Sequence, residues 1–530
     1  MAKAYRLENT TLGEILEDKA RKNGSKPLVF FKDEAASYLQ MNERANRVAN
    51  WFLSMGVKKG DKVIILLDNC LEWLYVWFGL AKIGVVVVPL NTQHKGHLLC
   101  CLINHSDARL MVIGKNLVDR MKSIKNKLTT LTTLVVHPDN EGILDLGLST
   151  VSFPELLNGS QISPKSNVRY YDTLAILYTI DPLGPSQGVV SPHSQYIRCG
   201  KQRAKLVRIK PKDVFACLSP LYHIIPLGDI LMTCLLGDAS MVISDRFSAR
   251  RFWEEVRRYN ITLSGGFGVV MKLLYIQPPK DGDADNSLRQ LIIPDAPESI
   301  REAFEKRFKV AVTDAYGMTE IDPVTATTIE DRRPGSCGKA AEDLEVKIFD
   351  ENDNEVKPGE IGEIVCRPKK PYIMMKEYYK MPDKTLNRWR NLWFHTDDYG
   401  YQDDQGYFYF VEGKNNAIKW RGENVSPFEV EEIIKSNSSV LEAAVVGISS
   451  ELGGHDVKVI IQLKDGENMM PEQLIEFCEQ RMAFFMIPRY VEFVDRLPRS
   501  EAGRILKKDL KTITKETWDR ERAGYKIRRE

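Results

Sequence analysis

The sequence predicts an α/β protein in two parts: a large N-terminal lobe of doubly wound, layered sheets with a β-rich subdomain, 1–413, and a small α+β C-terminal domain, 414–530. Three observations predict it. Short apolar runs alternate with helix-like segments through the first half of the chain, which is the signature of parallel strands covered by helices. From Leu344 the pattern becomes the two-residue alternation of β-hairpins. Beyond Gly413 a compact run of helix, strand, strand and helix follows.

Taken in order, Val63–Leu67, Val85–Pro89, Leu110–Ile113 and Leu134–His137 read as buried strands. The long apolar tract from Val76 to Leu90 contains Lys82 and two glycines. It falls short of the ~20 apolar residues that a membrane span needs, so it reads as a buried helix followed by a buried strand. The strand pattern resumes at Leu174–Thr179, Val214–Leu218 and Ser240–Ile243, with amphipathic segments such as Ala249–Tyr259 between them. Residues Leu344–Val365 read as a hairpin around Asp350–Lys357. A second hairpin is expected where Asp404-Gln405-Gly406 supplies turn chemistry between aromatic strands. In the C-terminal part the expected elements are a helix Pro427–Ser436, strands Ala443–Val446 and Val457–Leu463, and a helix Pro471–Met482. The charged tail Lys508–Glu530 reads as a solvated helix end.

A chain of 530 residues exceeds one ordinary core, so more than one lobe is expected. Hydrophobic residues make up 43% and charged residues 28%, and 74 Lys plus Arg nearly balance 72 Asp plus Glu. That balance gives no nucleic-acid or anionic-membrane footprint. Nine cysteines are scattered without a Cys-x-x-Cys pair or a Cys/His cluster, and the N-terminus shows no basic segment followed by an apolar one. The expectation is reduced thiols, no signal peptide and a cytoplasmic location.

Three segments carry chemistry. Tyr316-Gly317-Met318-Thr319-Glu320 follows an apolar strand, and one short loop there offers a ring to stack a base, a hydroxyl for a phosphate and a carboxylate for Mg2+. Trp393-Phe394-His395-Thr396-Asp397-Asp398 ends in carboxylates beside a hairpin, suited to accept from ribose hydroxyls. In Ile418-Lys419-Trp420-Arg421-Gly422-Glu423-Asn424-Val425-Ser426-Pro427, a strand turns through glycine into a helix and leaves backbone groups free to line a channel.

In this order, the segments resemble the superfamily of acyl-CoA synthetases, firefly luciferase and non-ribosomal peptide adenylation domains. The likeness includes Pro220-Leu221-Tyr222-His223, Pro334-Gly335-Ser336-Cys337-Gly338 and Gly359-Glu360-Ile361-Gly362-Glu363. Within the superfamily, LDNCLEWLYVWFGLAKIG, SARRFWEEVRRYNIT and IKWRGENVS are most similar to the crotonobetaine/carnitine-CoA ligase branch. The resemblance implies a carboxylic acid joined to ATP as acyl-AMP, then passed to CoA after a mobile C-terminal domain rotates. It implies adenine contacts from Tyr316, Gly317 and Asp295-Ala296-Pro297, with Thr179 and Thr319 at phosphate, Glu320 at Mg2+ and Asp398 at ribose. His223 would sit at the acyl pocket, with Lys419, Gly422 and Glu423 at the CoA channel. The hinge would be Asn415, and the catalytic cation of the C-terminal domain Arg504.

Several of these positions depart from the family pattern. Relatives carry T-S-G-T-T-G-x-P-K-G around the β and γ phosphates. Here the segment reads Thr179-Ile180-Asp181-Pro182-Leu183-Gly184-Pro185-Ser186-Gln187-Gly188. Hydroxyls and the lysine are gone, and Asp181 brings negative charge. The usual C-terminal lysine is Arg504, a planar fork in place of a compact ammonium. Gly413 replaces an arginine before the hinge, and T-G-D has become Thr396-Asp397-Asp398. Losing one preorganised donor or cation commonly costs ~10²–10³ in rate. Three readings follow: a working ligase; an enzyme of this fold doing a partial or different reaction on an adenylate or CoA thioester; and a non-catalytic homologue that binds a small molecule or partner.

Overall fold

The apolar runs that the sequence spaces between helices pair as parallel strands. The computed structural model describes residues 5–143, 145–181, 184–266, 268–294, 296, 298–413, 418–451, 453–499 and 505–527. An eight-stranded sheet runs, across its width, Glu377–Tyr378, Gln187–Pro192, Thr173–Thr179, Val86–Pro89, Lys62–Leu66, Leu110–Gly114, Thr133–His137 and Ser149–Ser152. The last six are parallel, and Gln187–Pro192 turns back antiparallel on Thr173–Thr179. The chain winds to both sides of Lys62–Leu66: Val86–Pro89 lies on one flank and Leu110–Gly114 on the other.

A seven-stranded sheet follows the order Ala311–Thr313, Gln290–Ile292, Leu263–Gly265, Val214–Cys217, Ser240–Ile243, Pro27–Phe31 and Glu34–Ser37, parallel except for the last. Helix Leu71–Ile83 is buried on nearly every face. Its tract is therefore apolar all round rather than striped. It packs on helix Tyr38–Ser54, which a Ser37/Gln40 capping box starts. The two touch where Gly79 lets the backbones close: a Cβ there would meet Val48 Cγ1 at 2.8 Å and the Ala45 carbonyl at 2.9 Å.

The β-rich part pairs Leu344–Phe349 with Gly362–Pro368, then Trp393–Gln402, which also pairs with Phe408–Gly413. Both expected hairpins are present. In the C-terminal part, helices Pro427–Lys435 and Pro471–Glu479 accompany a sheet of Val440–Ser449, His455–Leu463, Tyr490–Phe493 and Trp518–Asp519. The tail departs from the expectation. In place of a helix end, Trp518–Asp519 adds an edge strand to Tyr490–Val491. Arg489 pairs with Asp519, and Arg520 donates to the Ile487 and Pro488 carbonyls. Its charges are partnered by a sheet edge, so a count of polar residues misjudged it.

One buried apolar cluster runs from Ile64, Val88 and Ile176 to Val430, Ile434 and Val459, so the C-terminal part docks on the eight-stranded sheet. No helix among the described residues is long and apolar enough to cross a membrane.

Gly79→Val overpacks this helix contact and is expected to cost about 1–3 kcal/mol. A lower midpoint in urea unfolding followed by tryptophan fluorescence checks this; an unchanged midpoint would show that the helices can move apart freely.

Candidate active site

Three of the singled-out segments and the C-terminal part meet around one cavity of about 900 Å³. Residues Ala315–Met318 and Ile321–Ala326 form a tight hairpin, with Thr319 and Glu320 at its turn. Tyr316 donates from its hydroxyl to Asp398 Oδ2 at 2.7 Å. Gly317 is required because a Cβ there would collide with the Asp322 carboxylate. Glu320 is buried, and its Oε1 accepts from the Tyr378 hydroxyl at 2.6 Å. Gln195 fixes the turn by donating to the carbonyls of Thr319 and Glu320.

Asp398 lies on Trp393–Gln402, opposite Gly413 in the register. Burial pushes its carboxyl up to about 6, against the pull of the Tyr316 hydroxyl, Lys419 and Arg388. Asp397 accounts for the glycine of the usual motif: its φ is 58°, a left-handed conformation that aspartate tolerates better than most side chains. Nor is it a bare charge beside the ribose position, because Arg388 pairs with it at 2.6 Å.

The altered loop is braced from two sides. Lys384, on helix Pro382–Arg388, forms an ion pair with Asp181, which neutralises the charge expected to repel polyphosphate. The Asp181 carbonyl accepts from Ser426 Oγ at 3.0 Å. Ser186 donates from both its backbone N–H and its hydroxyl to Glu429 Oε1. Thr179 and Gln187 face each other in the register, both line the cavity, and Thr179 Oγ1 and Gln187 Oε1 are buried without a hydrogen-bond partner. Such groups ask for a polar ligand or water.

From the C-terminal part, Ile418–Trp420 and Glu423–Val425 form a two-stranded hairpin through Arg421 and Gly422. Gly422 has φ 97°. Lys419, Gly422 and Glu423 line the cavity. Tyr222 donates to Glu423 Oε1 at 3.4 Å and lies against His223, the rings tilted by 53° with centroids 4.5 Å apart. Burial holds the His223 imidazole below its ordinary value, with Glu423 opposing. Ala296 packs against an apolar cluster and is not among the cavity-lining residues. Asp295, Pro297, Asn415 and Arg504 lie outside the described residues.

Sequence reasoning missed other lining groups. His94 is kept neutral by burial, its imidazole lowered to about 4, and its Nδ1 has no partner. Deeper in, Arg203 pairs with Asp229 at 2.6 Å in a buried setting. Asp322 lies against them, and desolvation and the neighbouring Asp229 carboxylate raise its proton affinity well above normal. All three line the cavity. Each comes from a different element, Arg203 from a helix, Asp229 from a π-helical turn and Asp322 from a hairpin. Gly265, Gly266 and Gly268 also line this space.

The fold and cavity define an adenylate-forming ligase. A family model described as "AMP-binding enzyme" matches residues 16–379, and one described as "AMP-binding enzyme C-terminal domain" matches 429–504. The chain belongs to the AMP-binding enzyme family, in its AMP-forming acyl-CoA ligase group. It is 32% identical over 513 residues to a crotonobetaine/carnitine–CoA ligase of Salmonella choleraesuis, covering 94% of this chain and 98% of that one. It is 34% identical over 484 residues to one of Proteus mirabilis, covering 89% and 92%. A double mutant of o-succinylbenzoate CoA synthetase from Bacillus subtilis, solved with a product analogue, shares the fold with TM-score 0.81 at 22% identity, covering 96% of this chain and all of that one.

Asp398 binds its proton more tightly in the folded chain than in the unfolded one. That contribution favours the fold below the ordinary aspartate value and is lost as pH rises through about 6. The difference of roughly two pH units is worth ~3 kcal/mol. Asp398→Asn keeps an acceptor for Tyr316 and is expected to be more stable than the parent at pH 8 in denaturant titrations, with the gap closing between pH 6 and pH 4. A gap independent of pH would refute the perturbed carboxyl.

Proposed function

We propose that the protein activates a carboxylic acid that carries a cationic group, forming its acyl-adenylate from ATP and then its CoA thioester. In the first step a carboxylate oxygen attacks the α-phosphorus, the α–β anhydride bond breaks and pyrophosphate leaves. In the second the CoA sulfur attacks the acyl carbon, the bond to phosphate breaks, AMP leaves and the thiol proton goes to water. Tyr316 and Gly317, with Asp295-Ala296-Pro297, would bound the adenine. Asp398 would take the ribose by exchanging its Tyr316 partner, and Thr179 and Thr319 would take phosphate. Glu320 has a carboxylate in the cavity with one oxygen engaged by Tyr378, which fits a Mg2+ that keeps most of its ligands from water and phosphate. Such an ion would offset charge on the transferring phosphate. Arg504 is the proposed catalytic cation, Asn415 the hinge between units 1–413 and 414–530, and His223 with Lys419, Gly422 and Glu423 the acyl and thiol end. A cytoplasmic setting is in keeping with nine unpaired cysteines.

One observation carries the substrate class: the buried Arg203, Asp229 and Asp322 cluster. Arg203 neutralises Asp229, and Asp322 is a second carboxyl against them on the cavity wall whose charge has no cation of its own among the described residues. A cationic acyl tail would let it ionise and pair, whereas a fatty acyl chain would strand buried polar groups at a cost of several kcal/mol. Relatives named for crotonobetaine and carnitine point to the same chemistry.

A second observation favours a slow first step. The altered loop is engaged by Ser426 and Glu429, so ATP phosphates must displace these contacts. The full ligase reaction is therefore proposed to be limited by adenylation, with thioester chemistry left intact.

The test combines pyrophosphate release with CoA consumption, using Mg2+-ATP and matched acids with and without a quaternary ammonium. Turnover is expected only with the cationic acids, and Asp322→Asn is expected to raise KM for them by about thirtyfold, equal to the loss of ~2 kcal/mol of buried charge pairing. Equal turnover of straight-chain fatty acids would sink the substrate assignment. Failure of every acid, with AMP and CoA still bound in calorimetry, would sink the ligase reading.

Lys384→Ala removes the cation that pairs with Asp181 in the loop. It is expected to weaken ATP binding about tenfold or more while AMP affinity changes little. Parallel calorimetry with the two nucleotides checks this, and an equal loss for both would place Lys384 elsewhere in the nucleotide site.

A further inference from the structure

Away from the main cavity, the fold brings together a cysteine, a glutamate and a histidine that the sequence keeps apart. Cys70 is the N-cap of helix Leu71–Ile83, Glu72 sits in its first turn, and His137 ends the strand Thr133–His137. Their ligand atoms all lie within 4.8 Å of one another, the one such group among the described residues. His137 Nε2 is 3.6 Å from Glu72 Oε2. Bonds of ~2.0–2.3 Å at tetrahedral angles put donor atoms about 3.3–3.7 Å apart. The separation therefore suits donors that share an ion.

We propose that Cys70 Sγ, His137 Nε2 and the Glu72 carboxylate form a binding site for one transition-metal ion of the Zn2+ class, with a fourth, water-filled position. A histidine and a glutamate alone would be an ordinary ion pair. The third donor sets this group apart: the Cys70 Sγ lies within 4.8 Å of both other donors, and a thiol that binds a metal ion as thiolate releases its proton to solvent. Thiolate and imidazole select Zn2+ or Co2+ over Mg2+ or Ca2+. A dication with one thiolate and one carboxylate is locally neutral, so the positive end of helix Leu71–Ile83 does not oppose it. The His137 ring is oriented by an edge contact with Phe153 at 5.1 Å.

The location adds independent support. Cys70 and His137 line a second cavity, of about 540 Å³, together with Asp68, Asn69, Gly114 and Asn116. It opens at the carboxyl ends of Lys62–Leu66, Leu110–Gly114 and Thr133–His137, where the winding of the sheet reverses. Doubly wound sheets bind their ligands at this edge. The adjacent Asn69 accepts from the Leu221 N–H at 2.8 Å and donates to the Ser219 and Ser244 carbonyls. An ion here would brace the turn that holds the Tyr222-His223 segment.

The test titrates metal-stripped full-length protein with Co2+, then Zn2+. One Co2+ per chain is expected, with a sulfur-to-cobalt charge-transfer band and tetrahedral d–d bands that Zn2+ abolishes. Cys70→Ser should remove the charge-transfer band, and His137→Ala should weaken Co2+ binding by about a hundredfold. Zn2+ should raise the thermal midpoint of the parent but not of Cys70→Ser. Glu72→Gln supplies a second ligand variant should either fail to fold. Exposed Cys101 lies 3.3 Å from His97 Nε2 and is the competing source of a thiolate signal. A band that survives in Cys70→Ser and vanishes in Cys101→Ser, or no band at all, overturns the proposal.

Discussion

The contact between Ser186 and Glu429 sets the geometry on which the candidate site depends. Glu429 is buried, and desolvation raises its proton affinity above the ordinary range, an effect that the two donations from Ser186 counter. Its place in the first turn of helix Pro427–Lys435, which Ser426 caps, adds the favourable end of the helix dipole. A carboxylate in that setting is costly unless its donors stay put. The contact therefore pins the C-terminal part to the loop between two strands of the eight-stranded sheet. Gly422 and Glu423 sit just before that helix, so the same contact carries their hairpin into the cavity beside Tyr222 and His223.

This gives the unusual loop a physical meaning that its composition alone did not. In the family pattern the Ser186 position is proline, which has no N–H to donate. Here it supplies both an N–H and a hydroxyl, and both are used on Glu429. Asp181 likewise trades a flexible glycine for a carboxylate engaged by Lys384, while its carbonyl accepts from Ser426. Ser186 and the Asp181 carbonyl reach Glu429 and Ser426 in the C-terminal part, while the Lys384 pair braces the loop from its own side. The loop has thus been rebuilt rather than merely eroded.

Most of the fold was legible because it rests on local periodicity. Seven of the parallel strands, from Lys62–Leu66 to Ser240–Ile243, both hairpins and the buried helix through Leu80 follow from apolar spacing, whereas Pro27–Phe31, Ser149–Ser152, Leu263–Gly265 and Gln290–Ile292 did not stand out. The tail was misread because a strand at a sheet edge can be polar when its partners are charged, as Asp519 and Arg489 show. In the site, Tyr316, Glu320, Asp398, Gly422 and Glu423 could be found because each sits in a contiguous motif. Lys384, His94 and the Arg203, Asp229 and Asp322 group could not, since each stands alone in sequence and acquires meaning only from what the fold sets beside it. Asp397 is intermediate. Its charge was visible, but not the positive φ that makes the position special or the Arg388 that neutralises it.

The pairing pattern also constrains how the site can work. Acids facing the cavity already have partners: Asp398 has Tyr316, Glu320 has Tyr378, Asp397 has Arg388, and Glu423 has Tyr222. Among the described cavity-lining residues, the unpartnered buried atoms are Thr179 Oγ1, Gln187 Oε1, His94 Nδ1, Asp229 Oδ1 and His455 Nδ1, the first two in the strands that flank the loop. A ligand arriving at the acids must exchange one hydrogen bond for another, which gains little net free energy. A polar ligand that reaches Thr179 and Gln187 relieves a desolvation cost that the folded chain already bears. In the proposed nucleotide site, affinity would therefore come from the unpartnered atoms that a ligand satisfies, and orientation from the exchanging acids.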